Sequence, residues 1–168
     1  MELMRTKTDK EGKEKVKLSI LSLLQDRLVD TIDLMMQAKQ AHWNTKGKHF
    51  YPLHLLFDEV AEALKKSIDL IAERIVQLGG VADGTVQTVG KKTKLPMYPL
   101  HIVTGEEHST NLANALIQYC DLEKNAIISA NDAQDFATAD MLIDISREIN
   151  KYYWLVSAHV YTQKPQPR

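Results

Sequence analysis

From Val16 to about Asn44 the apolar positions Leu18, Leu21, Leu24, Leu28, Ile32, Met35 and Met36 recur every three or four residues between Gln, Asp, Arg and Lys. That spacing predicts an amphipathic helix. A second helix takes Pro52 in its first turn, runs through Leu55, Leu56, Val60, Leu64, Ile68, Ile71 and Ile75, and stops at Gly79-Gly80. Residues 81–103 hold two glycines and two prolines and are too long for a tight turn, so they predict a crossover carrying one short helix. Thr104-Gly105-Glu106-Glu107 has the form of a capping box and opens a third helix through Leu112, Leu116, Tyr119, Leu122 and Ile127. A fourth begins near Asp135 to Thr138 and carries Met141, Ile145, Ile149, Tyr153 and Val156, until Pro165 and Pro167 end helical order. The pattern is all-α.

Composition narrows the setting. With 168 residues, 44% of them apolar, the chain can bury one sizeable core and is too short for two ordinary domains. Residues 16–161 form the expected domain, between a mixed-charge tail over 1–15 and a C-terminal tail over 162–168. Twenty-one basic against 22 acidic residues leave a net charge of -1, so no overall positive field favours nucleic acid. Residues 1–17 carry six basic and four acidic side chains, the composition of a solvated, frayed end. Lys164 and Arg168 add charge near the other terminus. A single cysteine, Cys120, excludes an intrachain disulfide, and the chain opens on no charged-apolar-small leader, so a cytoplasmic setting is expected. No apolar run approaches the ~18 residues of a membrane span.

The candidate chemistry lies between residues 42 and 73. His42-Trp43-Asn44, His54-x-x-x-Asp58 and Asp69-x-x-x-Glu73-Arg74 place two histidines and three carboxylates at helical spacings. Imidazole and carboxylate without thiol suit an exchangeable site for iron, manganese or zinc better than a closed structural zinc site. At 100° per residue, Asp58, Asp69 and Glu73 lie roughly 40°, 60° and 100° from His54, so one face presents all four. Asp58 and Asp69 are nevertheless roughly 16 Å apart along the axis, against first-shell bonds of ~2 Å, and cannot share a compact centre within one helix. The donors split into His42, His54 and Asp58 at one end and Asp69 with Glu73 nearer the middle. Either the chain holds two incomplete sites, or a two-fold axis sets one subunit's triplet against its neighbour's pair. Taken singly, spaced acids are usually a solvated face and a lone histidine is usually no ligand. Jointly, repelling carboxylates at i and i+4 beside Phe57, Ile68 and Ala72 favour a bound cation.

Four helices with a long crossover between the second and third describe a ferritin-like bundle, whose metal sites come from inward-facing side chains. The stretch His42-Trp43-Asn44-x-x-Gly47-x-x-Phe50-x-x-x-His54-x-x-x-Asp58, followed by Asp69-x-x-Ala72-Glu73-Arg74 and Gln77-Leu78-Gly79-Gly80, closely resembles the Dps family of bacterial ferritin-like proteins. The likeness continues through Thr85-Val86-Gln87, Tyr98-Pro99-Leu100, Thr138-Ala139-Asp140, Ser146-Arg147-Glu148 and Trp154. The Glu-x-x-His motif of ordinary ferritins is absent. The resemblance implies a hollow shell of twelve subunits with a ferroxidase centre between two-fold related subunits. His42, His54 and Asp58 would come from one subunit, with Asp69 and Glu73 from its neighbour.

It further implies that Fe(II) is bound there, oxidised by hydrogen peroxide in preference to oxygen, and stored as ferric mineral, which protects DNA from oxidative damage. Trp43 would supply an electron when one iron is present, or else pack at the corner between the first two helices. Asp135, Asp140 and Asp144 would line an iron pore at the three-fold axes, although acids at a helix N-terminus are also favoured by the macrodipole. Glu62 reads as a solvated glutamate, and His49, His101, His108 and His159 as surface or packing residues. Cys120 reads as a small core residue. DNA is a candidate partner through the Lys/Arg tails, since phosphate neutralisation is local. The alternatives are a DNA-compacting protein with secondary iron chemistry, or a zinc- or manganese-sequestering relative without turnover.

Overall fold

A computed structural model describes residues 2–160, with side chains from residue 12 onward. Five helices follow one another: α1 (Glu2–Asn44), α2 (Phe50–Gln77), α3 (Val86–Lys92), α4 (Gly105–Asp132) and α5 (Phe136–Ser157). The four long ones make the expected bundle, and α3 is the short helix of the crossover. The expectations for Pro165, Pro167 and the tail over 162–168 fall outside the described residues, as do the side chains of the first eleven.

The first helix is longer than the apolar pattern predicts. It begins at Glu2 rather than Val16. Periodicity marks only the stretch with a face to bury, whereas backbone helicity also follows residue type. Lys, Glu, Leu, Met and Arg lose little side-chain freedom in a helix, and they dominate the opening residues.

Local signals set the other boundaries. Pro52 is the third residue of α2, where an amide has no intrahelical partner to lose. Gly79, at φ 80°, ends α2: its N–H donates to the Val76 carbonyl at 2.8 Å and that of Gly80 to Ile75 at 2.9 Å. At α4 the Thr104 hydroxyl accepts from the Glu107 amide while Glu107 accepts from the Thr104 amide at 2.8 Å, closing the capping box. Donation from the Thr104 amide and hydroxyl, with another bond from the Val103 amide, holds the Glu107 carboxyl down to about 2.

Leu24, Leu28, Leu34, Phe57, Leu64, Ile71, Leu116, Leu142 and Ile149 are fully buried among the four long helices. The crossover is stitched along α1. Gln25 exchanges two hydrogen bonds with the backbone of Asp83, Asp30 accepts from the Lys94 amide at 2.8 Å, Asp33 from the Thr93 hydroxyl at 2.6 Å, and Gln37 donates to the Pro96 carbonyl at 2.9 Å. The end of the crossover is also bonded to the α1–α2 corner: the Lys46 amide donates to Val103, and that of Gly105 to Lys46, both at 3.2 Å. This fixes the corner that carries the histidines.

Candidate metal centre

His42 sits in the last turn of α1 and His54 in the first turns of α2, and the turn between them folds the two rings face to face. Their centroids are 3.8 Å apart and their planes 21° from parallel. Each Nδ1 lies within hydrogen-bond distance of the other residue's backbone carbonyl, His42 to His54 at 2.7 Å and His54 to His42 at 2.9 Å. A carbonyl only accepts, so both Nδ1 atoms carry the proton, and the tautomer this selects has its lone pair on Nε2. Backbone carbonyls in this position orient a ligating imidazole and raise its basicity. Phe50 packs tilted against His54, with ring centroids 5.2 Å apart.

Asp58 is one turn along α2 from His54. Phe57 beside it points into the core and is fully buried, whereas the Asp58 side chain stays 41% exposed. Its Oδ1 accepts from the Lys39 ammonium at 2.6 Å. That bond holds the Asp58 carboxyl below its ordinary pKa, against the opposing effect of partial burial. Lys39 was not legible as part of the site, because its partner is nineteen residues away on another helix. Its signal is a lysine one turn before a candidate ligand.

Asp69 and Glu73 lie on the exposed surface of α2, among residues whose opposite face is core. Among the described residues of one chain, no three His, Cys, Asp or Glu side chains come close enough to hold a metal ion. The histidine pair is therefore brought together, and the carboxylate pair remains apart from it, as the axial rise requires.

The remaining candidates divide. Trp43 is 58% exposed, with the Lys39 ammonium 5.9 Å from its ring centroid. Asp135 is the N-cap of α5: it accepts from the Thr138 amide at 3.1 Å and hydroxyl at 2.6 Å, and pairs with Arg74 at 2.9 Å. Burial alone would raise its pKa, but these bonds and the Arg74 charge bring it below the ordinary value. Asp140 and Asp144 are exposed, at i and i+4 on α5, and Asp144 pairs with Arg147 at 2.9 Å. Glu62 is exposed beside Lys65. His108 is buried and bonds the Tyr98 hydroxyl through Nδ1 at 2.6 Å. Burial pushes the Cys120 thiol up to about 11, the state of an inert core residue.

Sequence reading missed one further cluster. Between α1 and α4, Arg27 bonds Asp30 at 2.6 Å and lies 4.0 Å from Glu123, which is fully buried with both carboxylate oxygens unpartnered by geometry. Thr31 bonds the Tyr119 hydroxyl at 2.9 Å beside them. One guanidinium faces two buried carboxylates. Burial raises the Glu123 carboxyl to about 7, despite the opposing Arg27 charge.

Residues 21–164 match the family model of the ferritin-like domain. The chain is 37% identical over 154 residues to the DNA protection during starvation protein of Agrobacterium fabrum, an alignment covering 92% of this chain and 95% of that one. The chain belongs to the Dps family of ferritin-like proteins. Among solved Dps structures, DpsC from Streptomyces coelicolor superposes with a TM-score of 0.84 at 29% identity, covering 92% of this chain and 90% of that one. Dps from Microbacterium arborescens, in its high iron form, gives 0.80 at 28% identity, covering 86% and 94%. Among the described residues, no helix is long and apolar enough to cross a membrane.

Proposed function

We propose that this Dps-family chain is a ferroxidase that takes Fe(II) as substrate at a centre shared by two subunits and stores the ferric product within a closed homo-oligomeric shell of twelve. The observation that carries this reading is the reciprocal pair of Nδ1–H bonds between His42 and His54. It commits both rings to offering Nε2, the donor set that a borderline divalent ion takes from neutral imidazole.

His42, His54 and Asp58 would bind from one subunit, and Asp69 and Glu73 from its two-fold partner. Carboxylates favour the harder Fe(III) product, while neutral imidazoles limit the negative charge of the site so that the product can leave. With hydrogen peroxide as oxidant, two Fe(II) supply two electrons and two protons are taken up, giving two Fe(III) and two waters with no hydroxyl radical released. Iron storage and protection of DNA then follow from one reaction, in keeping with the name of the Agrobacterium relative. Trp43, exposed beside the ligand His42, would donate an electron when a single iron is present. Asp140 and Asp144 would guide Fe(II) through a pore, with Asp135 holding the helix that carries them. A bacterial cytoplasm is the setting in which Fe(II) and peroxide meet.

Purified protein given Fe(II) and peroxide should form soluble ferric mineral. An Asp58→Ala, Glu73→Ala double variant that mineralised at the wild-type rate would remove the proposal. A protein that sequesters zinc or manganese without turnover would consume no peroxide when loaded with that ion alone.

A further inference from the structure

A cavity of about 380 Å³ opens at the corner where the α1–α2 turn meets the start of α4. Lys46, Lys48, His49 and His159 line it, and Glu106 is the one carboxylate on its wall among the described residues. Ser109 lies at the back. It is fully buried, it lines the cavity, and its Oγ has no hydrogen-bond partner. A buried hydroxyl left unpaired is costly, and one on the wall of a cavity is the mark of a site whose ligand supplies the missing bond.

The surroundings select the sign of that ligand. α4 points its N-terminus at this corner and runs for 28 residues, so its dipole favours negative charge there. Of its first-turn amides, those of Gly105, Glu107 and His108 are taken by Lys46, the Thr104 hydroxyl and the Thr104 carbonyl. The Glu106 amide has no partner among the described residues. Two lysines and two imidazoles supply N–H donors around the rim, and hydroxyls donate as readily as they accept.

We infer that this cavity binds a free tetrahedral oxyanion of the orthophosphate class, held by the Ser109 hydroxyl at the back and by Lys46 and Lys48 at the rim. Ser109 is recessed, which suits a small free anion rather than the phosphodiester of a duplex.

Inorganic phosphate titrated calorimetrically into the iron-free assembled protein at low salt is expected to bind saturably. Affinity should fall about tenfold or more in Ser109→Ala and in a Lys46→Gln, Lys48→Gln double variant, the loss expected for one charge-assisted hydrogen bond. Melting gives a second readout. Without phosphate Ser109→Ala should melt no lower than the wild type, since it removes an unpaired buried hydroxyl, whereas phosphate should raise the wild-type midpoint and move the variant little. Equal phosphate affinity in the wild type and Ser109→Ala, or no saturable binding, would overturn the site. A short DNA duplex that bound in a Ser109-dependent way while phosphate did not would overturn its assignment to a free anion.

Discussion

His42 and His54 orient one another: each ring donates its Nδ1–H to the other's backbone carbonyl, at 2.7 and 2.9 Å, while the two rings stack at 3.8 Å. The bonds go to main chain, so they survive truncation of the opposite side chain. His42→Ala should leave His54 oriented and keep residual Fe(II) binding, with ferroxidation slowed by about 10–100-fold. His42→Ala, His54→Ala should abolish it. Stopped-flow absorbance of the ferric product after mixing with peroxide measures both.

On the proposed function, Lys39 would compete with a metal ion for Asp58. Replacing it as Lys39→Gln removes a cation 2.6 Å from the carboxylate and should tighten Fe(II) binding several-fold at neutral pH, read by equilibrium titration. The same change removes the bond that lowers the Asp58 pKa, so the acid limb of Fe(II) binding should move to higher pH. Because both side chains are partly exposed, the pair itself adds at most about 1 kcal/mol to stability. That small contribution is present above the unfolded carboxyl pKa and is lost as pH falls through the lower folded value.

Glu123 makes the opposite prediction. Its folded pKa, raised to about 7 from 4.5, means that the native state holds the proton more tightly than the unfolded chain. Stability should therefore fall as pH rises from about 4.5 through about 7, by an amount on the order of 1–3 kcal/mol. Glu123→Gln should flatten that dependence and raise the denaturation midpoint at pH 8. Urea melts of both proteins at pH 6 and pH 8 provide the comparison.

The acids at the start of α5 should separate by function. Asp135→Ala loses an N-cap and the Arg74 pair and should cost about 1–2 kcal/mol in thermal unfolding, with bound-iron oxidation unaltered. Asp140→Asn, Asp144→Asn should slow iron uptake into the assembled protein without lowering its melting temperature. Uptake rates that match the wild type in the second variant would remove the pore role.

Dissociation isolates the intersubunit requirement. A charge placed on the exposed face of α2 that carries Asp69 and Glu73, such as Leu70→Lys, should, on the proposed shared centre, reduce the assembly to smaller species and suppress ferroxidation although His42, His54, Asp58, Asp69 and Glu73 all remain. Light scattering beside the oxidation assay tests this directly.

The sequence by itself determined the helices that bury a face, the capping box at Thr104, the crossover with its short helix, and the separation of the five donors into two sets. Each of these follows from residue type and local spacing, and the fixed rise per residue of a helix sets Asp58 apart from Asp69. The start of α1 did not show in the apolar pattern, because helix-favouring charged residues extend the backbone without burying anything. Only the tertiary structure decided which atoms the donors offer and what they touch. The Nδ1 bonds of His42 and His54, the Lys39–Asp58 pair, the Asp135–Arg74 pair and the buried Glu123 beside Arg27 all join residues on different helices or across a turn. Packing, which places one helix face against another, is what sets those distances.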